Sequence, residues 1–215
     1  MVPLVLASQS PARLATLQSA GVEPRVIVSN VDEDAVLAAA DHAHREFEGG
    51  ALPAADAVLA LARAKAEAVA AAHTTEAIVL GCDSMLEFGG AVLGKPESAA
   101  TARERWLEMR GRTGVLHTGH WLVDDREGHA WAVGATSSTT VQFAELTEPE
   151  IDAYVATGEP LQVAGGFTVD GLGGPYVESI EGDYHGVVGV SLPLLRRLLG
   201  ELGVAFHELR SAHHL

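Results

Sequence analysis

The order of short apolar segments and helix punctuation constrains this chain more than any other feature. Val2–Ala7 (VPLVLA) is apolar and partly β-branched, the pattern of a buried strand. Ser10-Pro11 follows at once, Ser suiting an N-cap and Pro the first helical position, and Gly21 closes the helix Pro11–Ala20. Arg25–Ser29 (RVIVS) reads as a second strand. Asp41–Gly50 (DHAHREFEGG) is polar and ends in Gly-Gly, so it reads as a mobile loop. Pro53–Ala72 is an Ala-rich helix, with Val58, Leu59 and Leu61 apolar and Arg63, Lys65 and Glu67 polar. Ala77–Gly81 (AIVLG) predicts a short buried strand running into Cys82-Asp83-Ser84, and Met85–Leu93 a tight hairpin turning at Gly89-Gly90.

Further along, Pro96–Arg110 reads as a helix closed by Gly111. Two long strand patterns follow, about Val115–Asp124 and Ala130–Phe143, with a turn at Asp125–Gly128. Thr147–Thr157 is a helix in which Thr147 and Glu150 form a capping box. Tyr176–Ile180 is another strand and Leu192–Leu202 a last amphipathic helix. Strands alternating with helices predict an α/β fold.

Composition sets the class. Of the 215 residues 47% are hydrophobic and 20% charged, enough apolar material for a core and unlike a disordered acidic tail. The 14 basic and 29 acidic residues leave a formal charge of −15. Long nucleic acid is thereby excluded as an expected partner, because its binding draws on a basic face. A small phosphorylated ligand needs only a few well-placed cations. Cys82 is the only cysteine, so no internal disulfide forms, and a reducing compartment is expected. No apolar run approaches the roughly 18 residues of a membrane span, and MVPLVLASQS lacks the basic start of a signal peptide. The expectation is a cytoplasmic protein with no membrane partner.

Five segments could carry chemistry. In Ser8-Gln9-Ser10-Pro11-Ala12-Arg13 a strand ends, two hydroxyls face the turn, and a guanidinium sits one turn inside the helix. Amides at a helix N-terminus bind anions and Arg13 can add donors, although Ser-x-Ser-Pro is equally an ordinary N-cap. Asn30–Asp34 places three acids past a strand end, oxygen ligands for a divalent cation or plain acidic surface. Asp83, directly after an apolar strand, stands where α/β folds bind ligands, as a metal ligand, a base for water, or a turn cap. Gly94-Lys95-Pro96 presents an ammonium at a helix start. The chain has only two lysines, Lys65 and Lys95, against twelve arginines and 35 alanines. Where Lys survives such a bias, a compact ammonium can be a chemical requirement, since Arg does not replace it as a point charge. Gly165–Gly174 (GGFTVDGLGG) is either a clasp around a flat or phosphorylated ligand, with Asp170 as acceptor, or a flexible connector. The histidines lack the further ligands of a zinc site, His213-His214 lie at a terminus expected to fray, and no Gly-x-Ser-x-Gly elbow supports a hydrolase triad. Trp106, Trp121 and Trp131 read as core or partner-contact residues.

In this order the segments resemble the Maf family of nucleoside triphosphate pyrophosphatases, named for septum formation inhibition. The resemblance runs through LASQSPARLATLQSAGV, VSNVDE, LARAKAEAVA, GCDSM, LGKP, MRGRTGVLHTGH, EPLQVAGGFTVDGLGG and IEGDYHGVVGVSLPLLRRLL, nearly the whole chain. It implies one α/β domain over residues 1–215, a mixed twisted sheet flanked by helices, with two lobes around a deep cleft, often as a homodimer. It implies hydrolysis of a nucleoside triphosphate between the α and β phosphates, with Mg²⁺ or Mn²⁺ as cofactor. Position by position, Ser8, Ser10 and Arg13 would hold phosphate, Glu33 would bind metal or position water, and Lys65 and Lys95 would neutralise the triphosphate. Asp83 would accept the proton of water and share the metal with Glu33. Both lysines fall on family motif positions.

This chain departs from the family in three places. One branch, which prefers dTTP and UTP, carries Gln where Asp170 stands. A second, associated with 7-methyl-GTP, carries an acid there, and a carboxylate can accept hydrogen bonds from guanine-type N–H groups. Ser84 stands where Thr is usual, and Asp41–Gly50 looks like an insertion. Two other readings remain open: a nucleotidyltransferase, although Ser8-Gln9-Ser10 lacks the Gly-rich turn of such enzymes, and a non-catalytic nucleotide-binding regulator of cell division.

Overall fold

The computed structural model describes residues 1–126 and 131–210. The expected turn at Asp125–Gly128 lies partly outside them; Ala130 and His213-His214 lie wholly outside.

Among the described residues, seven strands form one mixed sheet: β1 (Leu4–Leu6), β2 (Arg25–Val26), β3 (Ile78–Phe88), β4 (Ala91–Leu93), β5 (Thr113–Asp124), β6 (Trp131–Phe143) and β7 (Val177–Glu181). The order is β2-β1-β3-β5-β6-β7, with β4 also paired to β3. The β2/β1/β3 part is parallel and the rest antiparallel. Helices α1 (Pro11–Ser19), α2 (Glu33–Phe47), α3 (Ala54–Ala72), α4 (Ala99–Met109), α5 (Glu148–Ala156), α6 (Tyr184–Val188) and α7 (Leu192–Glu201) accompany the sheet. This is the α/β class that the alternation of segments predicts. The hairpin β3–β4 turns at Gly89-Gly90, both with positive φ, and α5 starts with the Thr147/Glu150 capping box.

Three expectations need correction. Asp41–Gly50 is not a loop as far as Phe47, because α2 runs through it. Asp32 caps that helix by accepting from the Ala35 amide at 3.0 Å, Asp41 pairs with Arg45 at 2.7 Å one turn on, and Gly49 and Gly50 end it with positive φ. Local capping and an i,i+4 ion pair outweighed the polar composition. The strand at Arg25–Ser29 shrinks to Arg25–Val26, since β1 is itself only three residues long. Lastly, Ala77–Gly81 does not end before Asp83: β3 continues to Phe88, so Asp83 lies mid-strand, paired with Gly119 of β5.

That long strand makes the cleft. Along one edge, β1 pairs with β3 only over Ile78–Leu80, and β4 only over Leu86–Phe88. Gly81–Met85 therefore has no strand neighbour on that edge among the described residues, and alternation sends Asp83 and Ser84 to opposite faces. The core packs on both faces. Leu4, Leu6, Leu80, Cys82 and Leu122 meet Leu194, Leu195, Leu198 and Leu199 of α7, while Val5, Ala7 and Val79 meet Ala66 and Val69 of α3. Trp106 of α4 anchors a third cluster, its ring edge-on to Phe143, Tyr154 and Tyr176.

Candidate active site

The Ala-rich sequence of α3 has a steric purpose. A Cβ at Gly81 would collide with the Ala62 carbonyl, and one at Gly119 with the Val58 carbonyl. Two strand glycines thus let the α3 backbone lie directly on the sheet, which leaves room only for Ala62 and Ala66 beneath it. This close approach carries Lys65 onto β3. Its ammonium donates to Asp83 Oδ1 at 2.6 Å and pairs with Glu33 Oε1 at 2.8 Å. Lys65 and Asp83 are largely buried, with 12% and 13% of their side chains exposed, whereas Glu33 at the start of α2 is 54% exposed. Among the described residues no hydrogen bond engages Asp83 Oδ2, and that oxygen is open to accept a proton.

On the opposite face of β3, Arg13 gathers a second set. Ser10 caps α1 by accepting from the Arg13 amide, and the first turn aims the guanidinium back at the sheet. Nε donates to Gly189 O at 3.1 Å, Nη1 to Ser8 Oγ at 3.1 Å and to Cys82 O at 2.8 Å, and Nη2 to Ser84 Oγ at 3.1 Å. The Cys82 carbonyl is available because that stretch of β3 has no strand neighbour on the edge away from β5 among the described residues. Ser84 lies 2.9 Å from Thr118 Oγ1, and the Thr118 hydroxyl donates to Gly186 O at 2.8 Å. The guanidinium is thus engaged by the protein on all three of its nitrogens. It supplies charge and fixes Ser8 and Ser84. Cys82 itself is buried, and burial pushes its thiol up to about 12, so it is a packing residue and not a nucleophile.

All eight residues singled out in the sequence converge. Ser8, Ser10, Arg13, Glu33, Lys65, Asp83, Lys95 and Asp170 line one cleft of about 930 Å³. Lys95 sits after β4, exposed, with no ion-pair partner among the described residues. Asp170 reaches the cleft on the glycine-rich segment, which is no slack connector. At its start, Gly165 and Gly166 both take positive φ in a kinked turn, with Gly165 packed against Leu86 of β3.

The charged lining balances: three cations (Arg13, Lys65, Lys95) stand against three carboxylates (Glu33, Asp83, Asp170). A polyphosphate, carrying several negative charges, thus meets a lining of no net positive charge inside a protein of charge −15, and a further cation would add to the neutralisation by Lys65 and Lys95. Among the described residues no cluster of three or more His, Cys, Asp or Glu side chains forms a metal cage. The donor set nevertheless fits Mg²⁺ or Mn²⁺. Two carboxylates already converge on one point, the Lys65 ammonium, and Mg²⁺ is commonly held by one or two carboxylates with substrate phosphates completing the shell.

Sequence reasoning missed two groups. Thr118 and Gly186 are brought to Ser84 across 34 and, from Thr118, 68 positions. Glu159, whose carboxylate accepts from Thr168, Leu172 and Gly173, bears no motif signal beyond its place in EPLQ. The short α6 was also absent from the expectations. No helix among the described residues is long and apolar enough to cross a membrane.

Comparison with known proteins shows the family. The family model described as Maf-like protein matches residues 3–202. A protein of Salinispora tropica named nucleoside triphosphate pyrophosphatase is 55% identical over 212 residues, covering 97% of this chain and 87% of its own. Similar proteins of the same name occur in Leifsonia xyli, 52% identical over 210 residues (96% and 95% covered), and in Streptomyces coelicolor, 52% over 207 residues (96% and 93%). With a match reaching from the first strand to the last helix, this chain belongs to the Maf-like family.

Proposed function

We propose that the protein is a nucleoside triphosphate pyrophosphatase, splitting the α–β phosphoanhydride to give a nucleoside monophosphate and pyrophosphate. The observation that carries this reading is the convergence of Asp83, Lys65, Glu33, Ser8, Ser10, Arg13 and Lys95 on one cleft, in a chain similar throughout to proteins of that name. Asp83, with Oδ2 open, takes the proton of the attacking water. Lys65 holds Oδ1 so that the carboxylate cannot turn away. Lys95 and Lys65 neutralise charge on the departing pyrophosphate, and Ser8 and Ser10 donate from their hydroxyls at the start of α1. A divalent cation held by Glu33 and Asp83 would neutralise further polyphosphate charge. Asp170 accepts hydrogen bonds from N–H groups on the base edge.

The test is to incubate the protein with triphosphates differing in base, common and methylated, with Mg²⁺ or Mn²⁺ and with chelator. Monophosphate and pyrophosphate in equal amounts, lost with chelator and restored by metal, are expected. No turnover of any member would overturn the reading. Pyrophosphate appearing only with a second phosphorylated substrate would replace it by nucleotidyl transfer.

A further inference from the structure

We propose that Glu159 is a positioning residue for base selection, its carboxylate holding the turn that presents Asp170 to the cleft; the inference rests on the nucleotide reading above. Glu159 Oε1 accepts from the Tyr154 hydroxyl at 2.9 Å, the Thr168 hydroxyl at 2.6 Å and the Gly173 amide at 3.0 Å, and Oε2 accepts from the Leu172 amide at 3.0 Å. The set is cross-braced. Thr168 donates its amide to the Tyr154 oxygen at 3.3 Å, and its hydroxyl oxygen accepts from the Gly173 amide at 3.1 Å. These bonds fall on Thr168 and on Leu172-Gly173, the residues that flank Asp170 on both sides.

The chain is shaped to wrap this carboxylate. A Cβ at Gly171 would lie 2.6 Å from Glu159 Oε2, and one at Gly173 would lie 2.5 Å from the Tyr154 hydroxyl. Glycine at these two places allows the turn to close on Glu159. Burial pushes the Glu159 carboxyl up, but the Thr168 hydroxyl, the Leu172 amide, the Tyr154 hydroxyl and the Gly173 amide together hold it below the ordinary range, so it stays an acceptor for all of them. The other end of the segment has its own anchors. Gly165 lies against Leu86 of β3 and donates to Gly94 O at 3.3 Å, while Gly166 O accepts from Trp106 Nε1 at 2.9 Å. Loss of Glu159 therefore frees only the stretch around Asp170. Asp170 lines both the main cleft and an adjoining recess of about 270 Å³ that Ala12, Tyr184 and His185 also line. Its placement decides which base edge meets a carboxylate.

The experiment compares wild type, Glu159→Gln and the milder Tyr154→Phe, each with and without Asp170→Asn. kcat and KM are measured for triphosphates of different bases, and amide hydrogen exchange at Leu172 and Gly173. A glutamine cannot accept from all four donors, because its amide nitrogen is itself a donor. Expected for Glu159→Gln is a KM for the preferred base raised about tenfold, kcat within about twofold, little change for the poorest base, and exchange about tenfold faster at the two amides. Tyr154→Phe shifts the same quantities in the same direction by less, and carries the test should Glu159→Gln not fold. In the Asp170→Asn background neither substitution alters selectivity further. Equal loss for every base, a fall confined to kcat, or unchanged selectivity overturns the proposal while leaving the pyrophosphatase reading intact. A wild type inactive on every triphosphate overturns that reading, and this one with it.

Discussion

At the scale of single residues, the two surviving lysines divide the work. Lys65 lines the cleft already bonded to Asp83 and Glu33, whereas Lys95 stands exposed there with no ion-pair partner among the described residues. Replacement should separate them. Asp83→Asn keeps the volume but cannot take a proton, so turnover is expected to fall by about a hundredfold or more with the melting temperature little changed. Near-wild-type turnover would remove Asp83 as the base. Lys95→Ala removes an exposed ammonium and is expected to raise KM by about tenfold with a smaller effect on kcat, readable by steady-state kinetics. These positions were legible in the sequence through the family resemblance and, for Lys65 and Lys95, through the scarcity of lysine, while each motif alone kept a non-functional reading. Their partners were not. Arg13 reads as a free phosphate ligand in the sequence, yet its guanidinium is engaged by Ser8, Cys82, Ser84 and Gly189, the last 176 positions away.

At the scale of elements, the seating of α3 on β3 and β5 is the decisive contact. Gly81→Ala places a methyl against the Ala62 carbonyl and 2.9 Å from the Ala66 amide, so α3 must move and Lys65 with it. A loss of about 2–3 kcal/mol is expected from urea titration, with turnover falling alongside. Gly200→Ala in α7, where a Cβ meets nothing within 4 Å, is the contrast. It should be neutral or stabilising by up to about 1 kcal/mol, because alanine favours the helix. Element boundaries show which signals are local. The cap at Ser10, the Thr147/Glu150 box and the Gly89-Gly90 turn act within four residues, and the helices and hairpin they bound were largely legible, whereas α4 begins at Ala99 behind the Ser98 cap and not at Pro96. The extent of β3 was not, because Gly81, Asp83 and Ser84 are poor strand formers by propensity. They are strand here because β5 pairs with them along its length.

At the scale of the whole molecule, His120 couples packing to pH. Its Nε2 accepts from the Ser191 amide at 2.9 Å and its Nδ1 donates to the Thr118 carbonyl at 3.0 Å, which docks the N-cap of α7 onto β5. Burial pushes its pKa down from 6.5 to about 4, only partly opposed by the Thr118 carbonyl. A base whose folded pKa lies below its unfolded value stabilises the fold fully above pH 6.5, and that contribution is lost as pH falls toward 4. The loss across that window is on the order of 3 kcal/mol. The melting temperature should drop through this range, and His120→Gln should flatten that part of the profile; an unchanged profile would show that His120 is not the titrating group.

The sequence by itself determined the α/β class, most helices with their caps, the hairpin, and the list of residues that meet in the cleft. The first three follow from periodicity and from hydrogen bonds spanning a few residues; the list of cleft residues follows from the family resemblance, carried over position by position. Tertiary structure alone decided that Asp83 sits within a strand against Lys65, that Arg13 is held in place by the protein, that the cleft lining is electrically neutral, and that Glu159 grips the turn bearing Asp170. Each of these depends on which backbone can approach which. That is set by sheet register and by helices lying on strand glycines, relations between segments far apart along the chain.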